Sequence, residues 1–326
     1  MRPRPIDVRR HVIEPFIEPG TQQFVDAIAN EPPVESLSPD LARAALTRMQ
    51  LTPVGRPGAD IQDLALPTAP ADAVPVRIFR PRGATNPLPA VMYFHGGGWV
   101  RGAADTHDRL AREIAAGAHV CVILVLYDLA PEVKYPVAIE QAYAVTGHVF
   151  AHAATLGIDP TRLAVAGDDA GATIAAAVTL MARDRQGPKI DLQILFCPIM
   201  GADFETRSYK TFAKGPWLTR AAMEWYWNAY LPDVARRTEL TAAPVLATIE
   251  QLRNLPDALI IVAENDPLRD EGECYARKLS DAGVRVKSVR YNGTVHDFVF
   301  LNALADTPAT RSAIAQAVSV LRYTFG

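Results

Sequence analysis

Short apolar runs punctuate this chain, each closed by turn-forming residues. Val74–Phe79 alternates apolar and polar positions, the pattern of a half-buried strand. Ala90–Phe94, Val120–Leu126, Leu163–Ala166, Leu192–Phe196 and Ala258–Val262 are continuous apolar runs of strand length, suited to the interior of a parallel sheet covered on both faces. Val284–Tyr291 reads as one more strand. Helical segments lie between them: Arg109–Ala116, Val137–Ala154, Ala172–Arg183 and Gly272–Ala282. Strands alternating with helices predict βαβ units, hence an α/β fold. Residues 1–60 read instead as helices joined by proline-rich loops. Ser38 is an expected N-cap with Pro39 at the first helical position, followed by an apolar stripe of Leu41, Ala44, Ala45 and Met49. Phe204–Pro232 breaks the rhythm. It holds three of the four tryptophans and an aromatic helix around Met223, Trp225, Tyr226, Trp227 and Tyr230, which Pro232 stops. Such a helix fits either ordinary core or a lid over a pocket.

Composition narrows the function classes. The chain has 326 residues, 49% hydrophobic and 21% charged, with a net charge of −3. That length suffices for a sizeable core without disulfide or metal staples. The balanced charge offers no basic face for nucleic acid. Cys121, Cys197 and Cys274 lie far apart, suggesting neither a disulfide framework nor a CxxC metal site. The basic start, MRPRPIDVRRHVIEPF, is not followed by an apolar stretch of signal length. The longest apolar run, Val120–Leu126, is far short of the ~20 residues of a membrane helix. A cytoplasmic protein with no membrane partner is the expectation.

Three patterns carry chemistry. His95-Gly96-Gly97-Gly98-Trp99 directly follows the strand Ala90–Phe94, and consecutive glycines let backbone N–H groups converge on one spot, as an oxyanion hole requires. Gly167-Asp168-Asp169-Ala170-Gly171 lies between a strand and a helix, the setting of a G-x-S-x-G nucleophile elbow, with Asp169 at its centre. Downstream, Asp266 and His296 each follow a strand. The chain order nucleophile, acid, histidine is that of α/β-hydrolases, and strand ends are where ligands bind in open α/β sheets.

Together these residues resemble the hormone-sensitive-lipase-like esterases, the bacterial family IV carboxylesterases. Tyr127-Asp128-Leu129-Ala130-Pro131-Glu132 is similar to that family's YRLAPE segment, and Asp266-Pro267-Leu268-Arg269-Asp270-Glu271 to its DPLRDE segment. The resemblance covers roughly residues 62–326. It implies an α/β-hydrolase fold, a mostly parallel eight-stranded sheet with a helical cap. The cap would comprise residues 1–55 plus 204–232, and the catalytic domain residues 56–326. It further implies an oxyanion hole from the N–H groups of Gly97, Gly98 and Ala170, His296 as general base oriented by Asp266, and short-chain esters as substrates. Trp99, Trp217 and Tyr226 are expected to contact substrate. No metal or organic cofactor is implied. A homodimer is plausible by resemblance alone.

Two departures stand out: Asp128 where the family has arginine, and Asp169 where it has the nucleophilic serine. No serine or threonine stands in the elbow, and Thr173 lies a full turn into the helix. A carboxylate is a weak nucleophile toward an acyl carbon, and its charge opposes the developing oxyanion. Three readings follow: an esterase scaffold with its nucleophile replaced, an Asp-nucleophile hydrolase acting on epoxides or alkyl halides, and a silent small-molecule-binding protein with Asp169 paired to protonated His296. Tyr209, Tyr226 and Tyr230 are candidates for protonating an epoxide oxygen. Other polar residues read as structural. Asp168 supports the elbow, Glu132 and Asp270 anchor loops, and His107 and His119 sit on the surface or in loops. His148 and His152 lie on a solvated helix face rather than a zinc site. Asp297 is expected to point away from its neighbour His296.

Overall fold

The continuous apolar runs form the centre of one sheet in the computed structural model, which describes residues 16–68, 73–85 and 87–326. Helices α1 (Pro19–Ile28) and α2 (Pro39–Met49) precede β1 (Ala59–Leu66), β2 (Val74–Pro81), β3 (Leu88–Phe94), α3 (Asp108–Ala118), β4 (Cys121–Val125), α4 (Val137–Ala151), β5 (Ile158–Asp168) and α5 (Asp169–Asp184). The chain continues through β6 (Leu192–Phe196), α6 (Arg207–Thr211), α7 (Arg220–Tyr230), α8 (Ile249–Leu252), β7 (Asp257–Asn265), α9 (Arg269–Asp281), β8 (Val286–Val295) and α10 (Pro308–Phe325). Strand order is β1-β2-β4-β3-β5-β6-β7-β8. Only the β1–β2 and β2–β4 pairs are antiparallel; the six strands from β4 to β8 are parallel. The expected eight-stranded, mostly parallel α/β-hydrolase sheet is therefore present.

β3 explains why its sequence is uninterrupted by polar residues. Ala90, Met92 and Phe94 face one core layer, under α4, α5 and α9, while Val91 and Tyr93 face the other, under α3 and α10. Side chains alternate across a strand, so a strand covered on both faces must be apolar throughout. Helix α5 is central: every residue from Asp169 to Ala182 is buried.

The N-terminal third departs from expectation. β1, an edge strand at 59–66, is absent from the expected strands and begins just where the helix-and-loop reading of residues 1–60 ends; its residues are mostly exposed, so no apolar alternation marks it. Ser38 does cap α2, accepting from Leu41 N, but the stripe is out of phase. Leu41 is 57% exposed, while Ala42, Leu46 and Gln50 are buried. Gln50 is held there by bonds from its Nε2 to Thr106 O and Phe300 O, and from Asn302 N to its Oε1. Residues 1–15 of the expected cap lie outside the described residues. No helix among the described residues is long and apolar enough to cross a membrane.

Candidate active site

β5 ends at Asp168 and α5 begins at Asp169 with no loop between them. So sharp a turn puts Asp169 at φ 51°, a left-handed conformation that costs a non-glycine residue on the order of 1–2 kcal/mol. It lifts the side chain off the end of the sheet. Gly171 lets α5 lie against β3, because a Cβ there would overlap the Phe94 carbonyl. Asp168 points the other way and ties the elbow to the glycine loop. It accepts from Tyr93 Oη at 2.7 Å and Gly96 N at 3.1 Å, and meets His107 Nε2 at 3.2 Å.

The glycine loop curls over the elbow. Val100 N and Arg101 N both donate to Gly97 O, and Gly98 has φ 62° with the Tyr226 ring where a Cβ would sit. Gly97 N and Gly98 N then point at one atom, Asp169 Oδ2, at 2.9 and 2.6 Å. The Ala170 N–H also favours the ionised form of the Asp169 carboxylate. The donors expected of an oxyanion hole are thus taken up by the central residue of the elbow itself.

His296 follows β8 and faces carboxylates on both ring nitrogens. Nδ1 lies 2.9 Å from Asp266 Oδ2, whose other oxygen accepts from Leu268 N at 2.8 Å. Nε2 lies 3.4 Å from Asp169 Oδ1 and 3.3 Å from Asp297 Oδ2, ion-pair distances longer than a well-formed hydrogen bond. Burial alone would lower the His296 pKa, but the charges of Asp297 and Asp266 and the bonds to Asp169 and Asp266 raise it well above 6.5. Burial would raise Asp169; the His296 bond and charge, with the Ala170 and Gly98 N–H groups, hold it below its ordinary 3.8. Burial pushes Asp297 up to about 6, with His296 partly offsetting it. The resting site at neutral pH is therefore an imidazolium among carboxylates. Cys197 Sγ comes within 4.8 Å of the Asp266 and His296 donor atoms. Burial pushes its thiol up to about 12, so it is a protonated neighbour of the ring rather than a thiolate.

A cavity of about 570 Å³ reaches down to Asp169 and His296, a size suited to a small molecule. Its walls come from α1 (Val25, Ile28), α2 (Leu46, Met49), Trp217, Leu218 and α7 (Ala222, Tyr226), with Arg101 beside the two site residues. Trp217 meets Phe24 edge-on at 5.4 Å.

The structure brings Asp169, Asp266, His296, Gly97, Gly98 and Ala170 together, and puts Trp217 and Tyr226 on the cavity wall. Three expectations fail. Trp99 does not line the cavity; its indole is fully buried, stacked on Tyr230 at 4.2 Å with Trp227 at its edge. His107 is not a surface residue but is 1% exposed, stacked on Phe300 at 4.2 Å and paired to Asp168. Asp297 does not point away from His296, because the chain after β8 is not extended: φ 62° turns its carboxylate back over Nε2. Thr173 donates to Ile199 O at 2.6 Å, away from the elbow. His148 and His152 stack on each other at 4.1 Å. Sequence reasoning missed Arg101. The signal was available: a lone cation interrupts the small and apolar residues Trp99-Val100-Arg101-Gly102-Ala103-Ala104.

Comparison with known proteins bears on this geometry. A family model described as alpha/beta hydrolase fold matches residues 91–300. Carboxylesterase NlhH of Mycobacterium tuberculosis is 37% identical over 318 residues, covering 95% of this chain and 97% of its own. The crystal structure of a thermostable esterase from Pseudomonas putida ECU1011 superposes with a TM-score of 0.94 at 42% identity, covering 96% of this chain and 99% of the esterase. A fungal esterase structure from Rhizomucor miehei gives 0.90 at 35% identity, with 96% and 98% covered.

Proposed function

The chain belongs to the carboxylesterase-type hydrolases of the α/β-hydrolase family, and from that premise we propose that it is a short-chain carboxylic-ester hydrolase scaffold silenced at its nucleophile. One observation carries the reading: Gly97 N and Gly98 N both donate to Asp169 Oδ2. Ester hydrolysis through a triad needs a hydroxyl at the elbow, a base to take its proton, and free N–H donors for the tetrahedral oxyanion. In this chain the base position, His296, is charged, and the donors already bind an anion. An incoming carbonyl oxygen would have to displace a carboxylate that two N–H groups and an imidazolium hold in place. The reading includes a cap made of α1, α2 and the 204–232 segment, which together wall the cavity.

Asp169→Ser tests this. The serine Oγ would pass its proton to His296 Nε2 as it attacks the acyl carbon, with the oxyanion held by Gly97, Gly98 and Ala170. Loss of the nucleophile in a serine hydrolase site costs about 10⁶ in turnover. The serine form should therefore hydrolyse p-nitrophenyl butyrate at least about a thousandfold faster than the parent. Equal rates would sink the reading.

A second reading has its own observation. Oδ2 is anchored by N–H groups, while Oδ1 takes none of the N–H bonds from Gly97 and Gly98 and faces His296. Oδ1 attacking a saturated carbon would form an alkyl ester as the leaving group departs with the bonding pair. The neutral ester no longer holds the His296 proton, which passes to solvent. The neutral ring then takes a proton from a water attacking Asp169 Cγ with Oδ2 as the oxyanion, and collapse restores the carboxylate and expels the alkoxide, which takes that proton from His296. Tyr226, on the cavity wall with a buried hydroxyl lacking a partner, is the available proton donor for an epoxide oxygen. Turnover of an epoxide or alkyl halide by the parent, lost in Asp169→Asn, would replace the first reading by this one.

A further inference from the structure

Arg101 follows the glycine turn directly, its N–H donating to Gly97 O at 2.9 Å, so its backbone is part of the loop that carries the N–H donors. The side chain is only 8% exposed yet lines the cavity beside Asp169 and His296. Its guanidinium lies over the Tyr226 ring, 5.3 Å from the centroid, and the same ring packs against Gly98. Nε is buried without a hydrogen-bond partner, and among the described residues no carboxylate pairs with this guanidinium. Arg43, Arg77 and Arg109 differ, each bonded to at least one carboxylate. A buried cation with unused donors in a cavity wall is unsatisfied as it stands, and a guanidinium fork matches a carboxylate through two parallel bonds.

We propose that this cavity takes an ester that also carries a carboxylate, Arg101 holding the carboxylate while the ester carbonyl lies against Gly97 and Gly98. This rests on the ester-hydrolase reading above and gives its substrate class. One aromatic ring touches both Arg101 and Gly98, so the two groups of the substrate are a few bonds apart, as in the half-ester of a four- or five-carbon dicarboxylic acid. The negative charge of Asp169 next to the same space disfavours such a substrate in the parent, and Asp169→Ser removes that repulsion.

The test uses monomethyl glutarate and dimethyl glutarate, which differ in the free carboxylate. With the Asp169→Ser protein, kcat/KM for the half-ester should exceed that for the diester at least tenfold. Adding Arg101→Gln should erase the preference, chiefly through KM, and Arg101→Lys should retain part of it. A diester preference, or a half-ester preference that survives Arg101→Gln, overturns the proposal while leaving ester hydrolysis intact. If the serine form hydrolyses neither compound, calorimetric binding to that same protein decides the role of Arg101, and p-nitrophenyl butyrate alone decides the ester-hydrolase reading. Monomethyl glutarate bound more tightly than the diester, with the difference lost in Arg101→Gln, supports it; equal or absent binding overturns it. Thermal melts identify a misfolded glutamine variant, in which case loss of the preference in Arg101→Lys at high ionic strength is the deciding result.

Discussion

A single imidazole facing three carboxylates sets the behaviour of this site. His296 has a raised pKa, so its contribution to stability is complete below about 6.5 and is lost as pH rises through its folded value. Asp169 has a depressed pKa, so its contribution is complete above about 3.8 and is lost as pH falls through its folded value. The Asp169–His296 pair therefore stabilises most between roughly pH 4 and 6.5, with its effect persisting upward until His296 loses its proton. Asp169→Asn should show its largest stability deficit in that window, and the gap to the parent should narrow as pH falls below about 3.8. Urea melts across pH 3–9 measure this; a deficit independent of pH would mean the pair contributes through packing alone. The same substitution should lower the His296 pKa, read from its ring signals by NMR. Of these groups, Asp169, Asp266 and His296 were legible in the sequence because each follows a strand in a recognisable order. Asp297 was not, because its role depends on a left-handed backbone at the end of β8 that adjacency in sequence does not reveal.

At the scale of elements, α2 reaches across to hold the glycine loop. Arg43 donates from Nε to Val100 O at 2.9 Å and from Nη2 to Ala130 O at 3.0 Å, and pairs with Glu132 through both nitrogens of its fork. Ala130 N in turn donates to Trp99 O at 2.9 Å. One residue of α2 thus links the segments carrying the HGGG and Leu129-Ala130-Pro131-Glu132 sequences. Bonds of this charged kind contribute about 1.5–3 kcal/mol where well formed, and Arg43 is about a quarter exposed. Arg43→Ala should destabilise the protein by about 1–3 kcal/mol in urea unfolding. Made in the Asp169→Ser form, it should also reduce kcat several-fold, since Gly97 and Gly98 lose their brace. Lost stability with unchanged kcat would confine Arg43 to the fold. None of this was visible in the apolar pattern. The strands buried on both faces were legible because burial requires an unbroken apolar run. Exposed β1 and the displaced stripe of α2 were not, since an edge strand needs no apolar face and a buried Gln50 satisfied by hydrogen bonds looks polar on paper.

For the whole molecule, the proposed function rests the chemistry on the sheet and substrate access on the elements that wall the cavity. Asp169, Asp266 and His296 stand at the ends of β5, β7 and β8, parallel strands of one sheet separated by rigid packing, so their geometry changes little with surface substitutions. The cavity above them is walled instead by short elements, α1, α2, Trp217–Leu218 and α7, drawn from two segments far apart in the sequence. On the proposed function, that division leaves substrate size to these wall elements. Trp217 is the wall residue that joins its two parts, packing edge-on against Phe24 of α1. Trp217→Ala in the Asp169→Ser form should move the optimum of a p-nitrophenyl ester series from two to twelve carbons toward longer chains, with kcat/KM for the shortest ester falling less than tenfold. A series whose optimum stays in place would show that chain length is limited below the cap, at Tyr226 and Gly98. A uniform loss across all chain lengths would instead make Trp217 a support for the N-terminal helices rather than a wall, and melting of the variant at lower temperature would accompany it.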